Sequence, residues 1–312
     1  MVGVTVTDTA GRTDRTGTVP FREFQTWYRV VGDLAADKPP VVLLHGGPGA
    51  THHYLLAMAA LAERGRAVVL YDQLGNGGST HLPERMGDGD FWAMPLFVEE
   101  LANLLQHLGI TQHHVLGQSW GGFLAQEHAL THPVGLRSLV LADTAASWAG
   151  FLSACDELRA LLPPEVEAVL RAHEAAGTTS DPAYVQACQV FYDRHVCRVV
   201  PLPDDVATSF AAIDSDPTVY HTMNGPSEFH CIGTAIGWTA VDRLPQVDVP
   251  TLVVSGAHDE AVPRLQEQLL AGIPDCTWEL FADSSHMPHV EETDRFLQVV
   301  GDWLDAHDGA DA

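Results

Sequence analysis

The stretch Val115-Leu116-Gly117-Gln118-Ser119-Trp120-Gly121-Gly122 carries an apolar segment through Gly-x-Ser-x-Gly and into a helical pattern. A strand that turns sharply into a helix at such a pentapeptide forces the serine into a strained backbone conformation. Only glycine-sized neighbours let the turn close, and the hydroxyl ends up exposed at the tip of the sheet as a positioned nucleophile. The pentapeptide alone is weak evidence, because small common residues generate it by chance. Its context and its partners have to support it.

Outward from this turn, short apolar runs recur: Val41–Leu44, Ala67–Tyr71, His114–Leu116, Leu139–Leu141, Thr251–Val254 and Thr277–Phe281. Residues 17–31 alternate and are rich in Thr, Val, Trp and Tyr, which predicts entry strands or a hairpin. Helical patterns fill the gaps, notably Pro95–Leu108 and Trp120–His132. Strands of four to six residues alternating with helices predict an α/β protein with a mostly parallel central sheet flanked by helices, the α/β-hydrolase fold. Between about residues 145 and 245 the alternation stops. Phe151–Leu162, Pro164–Ala176, Pro182–Arg198 and Asp204–Ile213 all read as helices with proline near their starts. The expected organisation is a core of residues 1–144 and 246–312, with a helical cap over 145–245 lying above the site. The tail Asp308–Ala312 is expected to fray.

A nucleophilic serine needs a base, a carboxylate to orient that base, and N–H donors for the oxyanion, in the chain order Ser…Asp/Glu…His. Asp259 follows the apolar strand Thr251–Val254 and a Ser255-Gly256 turn, where such an acid belongs; Asp143, at the end of the preceding strand, is the rival. His286 follows the run Thr277–Phe281 and precedes a last helix over Glu291–Ala306. His289 competes with it, three residues on. The oxyanion donors are expected to be the N–H of Trp120 and one from the loop His45-Gly46-Gly47-Pro48-Gly49, with Gly47 preferred over Gly46. The other histidines form no metal pattern such as His-Glu-x-x-His, so neither a metal nor a cofactor is expected.

Composition narrows the partners. The chain has 312 residues with 41 acidic and 16 basic side chains, a formal net charge of −25. Such a surface repels phosphate backbones and anionic membranes, so nucleic-acid and lipid binding are not expected. Five cysteines without Cys-x-x-Cys spacing read as reduced thiols. Met1–Asp8 shows no basic, apolar leader pattern, and no apolar run is long enough to span a bilayer. A cytoplasmic location is the expectation.

These motifs resemble those of the proline iminopeptidases, serine aminopeptidases of the α/β-hydrolase fold. The resemblance covers nearly the whole chain. It rests on the 45–49 loop, on Tyr71-Asp72-Gln73-Leu74-Gly75-Asn76-Gly77-Gly78-Ser79, on the elbow, on the Asp259-Glu260 pair, and above all on Met223-Asn224-Gly225-Pro226-Ser227-Glu228-Phe229. The resemblance implies that Glu228 and Glu260 bind the free α-ammonium of a substrate. It also implies release of an N-terminal residue, proline or a small amino acid, from a peptide, an amide or an aminoacylated small molecule; related amino-acid amidases and aminoacyl amidohydrolases share the pattern. Family members commonly carry Arg where Leu74 stands. The alternative is a carboxylesterase or lactonase that needs no free amine. Epoxide hydrolases and dehalogenases use Asp where Ser119 stands, and a non-enzymatic ligand binder would not need Ser119, Asp259 and His286 together. The helix around Asp193-Arg194-His195 is expected to help shape the far side of the cap.

Overall fold

Strands β4 (Val41–Leu44), β5 (Val68–Asp72) and β6 (His113–Gln118) are buried along their whole length. Apolar runs without alternation fit interior parallel strands covered on both faces. The computed structural model describes residues 13–309 and, as backbone, residues 5–7. The remaining strands are β1 (Thr5–Thr7), β2 (Thr13–Phe21), β3 (Phe24–Val31), β7 (Leu136–Ala142), β8 (Thr251–Gly256) and β9 (Cys276–Phe281). They form one nine-stranded sheet in the order β1-β2-β3-β5-β4-β6-β7-β8-β9. The first three strands enter antiparallel, with Phe21 opposite Phe24 across a tight hairpin; from β5 to β9 every pairing is parallel. The α/β-hydrolase architecture expected from the strand–helix alternation is present, with core strand ends within three residues of those expected and β2 beginning four residues earlier than the expected residue 17.

Helices α1 (Met94–His107) and α2 (Trp120–Leu130) flank β6. Nine of the eleven α2 residues are buried, because this helix lies between the sheet and the segment that follows. That segment, between β7 and β8, contains α3 (Trp148–Arg159), α4 (Pro164–Ala176), α5 (Pro182–His195), α6 (Asp204–Ser215) and α7 (Thr218–Met223). Ser147 caps α3 by accepting from the Gly150 N–H at 3.1 Å, and Asp181 caps α5 from Ala183 at 2.8 Å. The third of these helices stops at His195, three residues short of the expected Arg198, before the extended approach to Pro201. Helix α7 was not foreseen: at six residues between Pro217 and Asn224-Gly225 it is too short to show periodicity.

After β8 come α8 (Pro263–Gly272), β9, α9 (Pro288–Glu291) and α10 (Thr293–Ala306). The last buries Phe296, Val300 and Leu304, one per turn, against the core. Expected fraying of the tail does not extend to Asp308. Its carboxylate accepts from the fully buried Arg66 at 2.8 Å, which also reaches Asp305 at 2.6 Å. A buried guanidinium needs such partners, so they hold this end of the chain. Ala310–Ala312, and the Met1–Asp8 stretch apart from its strand residues, lie outside the described residues. Among the described residues no helix is long and apolar enough to cross a membrane.

Candidate active site

Ser119 sits between β6 and α2 with φ 57° and ψ −123°, a conformation L side chains rarely adopt. The turn closes only because its flanks lack side chains. A Cβ on Gly117 would lie 2.1 Å from the Gly121 carbonyl oxygen, and one on Gly121 would lie 2.0 Å from that of Leu44. The Ser119 N–H donates to the Ala142 carbonyl at 2.9 Å, and the Thr144 hydroxyl donates to the Ser119 carbonyl at 2.8 Å.

His286, in the loop after β9, meets Asp259, in the loop after β8. Its Nδ1 lies 2.6 Å from Asp259 Oδ1, which also accepts the Ala261 N–H at 2.8 Å. The ring's Nε2 lies 3.6 Å from Glu260 Oε1. Burial works against a charge on His286, but the carboxylates of Asp259 and Glu260, the bond to Asp259 and the field of Glu228 outweigh it. Together they raise the ring from 6.5 to about 9. The rival His289 points elsewhere: its Nε2 bonds the Tyr54 carbonyl at 3.1 Å, and burial lowers it to about 3, so it stays neutral. Asp143, the rival acid, makes no bond to His286; it lies behind Asp259 and accepts the Gly256 N–H at 3.1 Å.

Of the two glycines considered for the oxyanion hole, Gly46 has its N–H engaged by the Tyr54 hydroxyl at 2.6 Å. That sets it aside as a donor. Gly47, at φ 110°, lines the same cavity as Ser119 and His286. A side chain there would press on the Gly49 and Ala50 amides at 2.5 and 2.7 Å. Trp120 begins α2, so its N–H has no carbonyl to bond within the helix. Its indole is fixed by Gln73 Oε1 at 3.0 Å, and Gln73 also donates to the His45 carbonyl at 2.8 Å.

Glu228 and Glu260 face this cavity of about 400 Å³ with Ser119 and His286. Glu228 is half-buried and accepts from the Tyr220 hydroxyl at 2.6 Å. Glu260 is fully buried, and neither of its oxygens has a hydrogen-bond partner. Burial pushes its carboxyl well above the usual range; His286 pulls it back, while Glu228 and Asp259 add to the rise. A buried carboxylate without donors is strongly unfavourable unless a cation joins it.

The chain matches the α/β-hydrolase fold family over residues 39–293. It is 37% identical over 293 residues to the proline iminopeptidase of Lactobacillus delbrueckii subsp. lactis, covering 93% of this chain and 98% of that one. It superposes on the crystal structure of a proline iminopeptidase from Mycobacterium smegmatis with a TM-score of 0.87 at 48% identity, covering 94% and 98%. On the crystal structure of VinJ the TM-score is 0.92 at 55% identity, again covering 94% and 98%. The chain belongs to the proline iminopeptidase family.

Three features of this family member escape a reading of its sequence. Tyr54 bonds Gly46 and donates to Gln118 Oε1 at 2.6 Å, and Gln118 donates to the His286 carbonyl at 2.8 Å. Nothing in its spacing marks Tyr54; only its nearness to the glycine loop hints at a role. Phe123, Trp148 and Phe151 form a narrow aromatic recess reaching Ser119 and Glu228. A second cavity of about 850 Å³ lies within the helical segment and shares Val196, Phe210, Ile213 and Glu228 with the first. Helix α5 does line it, through Val185, Cys188 and Tyr192, whereas the His195 ring turns to the His258 carbonyl at 2.9 Å. The unusual Leu74 is fully buried, and its N–H donates to both Glu100 oxygens at 3.0 Å.

Proposed function

We propose that this enzyme releases an N-terminal amino acid, proline or a small residue, from a peptide, amide or aminoacylated small molecule through an acyl-enzyme on Ser119. His286 takes the serine proton and returns it to the leaving group, Asp259 holds the ring, and the N–H groups of Gly47 and Trp120 receive the oxyanion. The carrying observation is Glu260, buried and unpartnered in the same cavity as Ser119 and His286. With Glu228 it offers an ammonium group two charge-assisted hydrogen bonds. An esterase without an amine to bind would have no use for that arrangement.

The narrow aromatic recess suits a small ring or short side chain on the acyl side. The larger cavity, rich in Tyr, Phe and Val, suits the leaving group and favours one with an apolar body. We read residues 145–245 as a cap that encloses both, and the chain as a cytoplasmic enzyme acting on small substrates rather than on nucleic acid.

Substrate charge also bears on the base. An ammonium bound between Glu228 and Glu260 cancels much of the field that keeps His286 protonated, so the base is freed when the correct substrate arrives. Turnover of prolyl- and alanyl-naphthylamides should exceed that of their N-acetylated forms by about a hundredfold or more. Equal turnover of the two would remove the ammonium pocket and leave a general acyl hydrolase.

A further inference from the structure

Asp143 has no part in the mechanism above, yet it is buried directly behind the candidate triad. It occupies the turn after β7 with φ 52°, a conformation aspartate tolerates better than most residues. Its N–H donates to the Val254 carbonyl at 2.8 Å, and its Oδ1 accepts from Gly256 at 3.1 Å, so the ends of β7 and β8 lock it in place. Asp143 and Asp259 are both fully buried. The two lie close enough at the adjoining ends of β7 and β8 for the charge of Asp259 to raise the Asp143 carboxyl. The Oδ2 atom of each is buried without a hydrogen-bond partner.

Two neighbouring carboxyl groups buried from water do not both ionise readily, and one proton placed between them would satisfy both unpartnered Oδ2 atoms. Asp259 has its other oxygen against His286 and the Ala261 N–H, both donors. The charges acting on Asp143 are acidic: Asp259 from the β8 loop first, and more weakly Glu291 from α9. Around the ring that Asp259 serves lie Glu260 and Glu228. The proton therefore belongs on Asp143. Burial first, then the charge of Asp259, push its carboxyl well above the usual range, which agrees with the geometry.

We propose that Asp143 is a positioning residue, a neutral carboxylic acid whose O–H donates to Asp259 Oδ2 and holds the other oxygen of Asp259 against His286. The role rests on Asp259 being the triad acid. By drawing charge onto Oδ2, the bond also moderates how tightly His286 holds its proton. A sequence search for the acid treats Asp143 and Asp259 as rivals, whereas here the two form one unit.

Asp143→Asn decides the matter, because the amide keeps both bonds, donating to Asp259 and accepting from Gly256, and carries no charge. Its kcat/KM on a free-amine naphthylamide should stay within about threefold of wild type, with the acid limb of the pH profile unmoved. Asp143→Ala leaves Asp259 Oδ2 unpartnered. Its kcat should fall about tenfold or more with little change in KM, and its acid limb should move to higher pH as Asp259 grips the imidazolium harder. If Asp143→Ala fails to fold, Asp143→Asn still decides. An acid limb shifted to lower pH in Asp143→Asn would mean that a charge had been removed and would overturn the proposal. So would a loss beyond tenfold in Asp143→Asn, or wild-type kinetics in Asp143→Ala. Asp259→Asn separates the two ideas: if it retains turnover, Asp259 is not the acid and the earlier reading fails first.

Discussion

Asp259 and Glu260 are neighbours in sequence and equally buried, yet they live in opposite conditions. Asp259 Oδ1 is held by two donors, the His286 ring and the Ala261 N–H, and the carboxyl of Asp143 is the donor we propose for Oδ2. Glu260 has no hydrogen-bond donor on either oxygen, and the Nε2 of His286 lies 3.6 Å from its Oε1. The difference teaches which end is finished before substrate arrives. The Asp259–His286 end is already hydrogen-bonded, while the Glu260 end has no donor and, on the function proposed above, depends on the ligand's ammonium to complete it. Unsatisfied buried groups of this kind stabilise a complex at the expense of the empty fold.

The comparison can be broken at either end. Ser119→Ala, which removes the nucleophile alone, should lower turnover by ~10⁴-fold or more with almost no change in Tm. Glu260→Gln should lower kcat/KM for free-amine substrates by ~30- to 1,000-fold, from the ~2–5 kcal/mol lost with a buried charge partner. The same change should raise Tm by about 2–4 °C, because the desolvation cost of a buried carboxylate without hydrogen-bond donors outweighs its pairing with His286. Glu228→Gln keeps its contact with Tyr220 and should fall between Glu260→Gln and wild type in kcat/KM. A Glu260→Gln enzyme that loses both activity and stability would show the amine end to be structural, and the contrast drawn above would vanish.

The pH dependence sharpens the same contrast. With His286 raised to about 9 in the empty enzyme, kcat/KM should climb through neutrality toward that pH, since the base must be neutral. The acid limb of kcat should lie lower, because the bound ammonium shields the ring from Glu228 and Glu260. Glu260→Gln should move the kcat/KM limb downward. For stability the sign runs with protonation. The folded ring is raised above its unfolded value of about 6.5, so its ion pairing stabilises fully below that pH and is lost as pH rises toward 9. Urea unfolding across this window, compared between wild type and Glu260→Gln, measures it. The smallest effect expected is from Tyr54→Phe, about three- to tenfold in kcat with KM nearly constant.

Core strand positions, the elbow and the mostly parallel sheet were legible because unbroken apolar runs and glycine-bounded turns are local signals, whereas the three-residue β1 was too short to show. The juxtaposition of Asp259 and His286 followed from chain order and strand ends. The Tyr54–Gln118 link was not legible, since it joins residues 64 apart through side chains that no periodicity distinguishes. Helix α7, which brings Tyr220 to Glu228, was hidden by its brevity. Gly46 and Gly47 look alike as letters; only the position of the Tyr54 hydroxyl tells which amide is spent.

The chain of bonds from Gly46 through Tyr54 and Gln118 to the carbonyl of His286 ties the loop that carries the Gly47 amide to the loop that carries the imidazole. On the roles proposed above, anion cradle and proton shuttle are therefore mechanically one part. A disturbance at either loop should slow formation and breakdown of the covalent intermediate in equal proportion, leaving the burst amplitude of product release unchanged while both rates decline together.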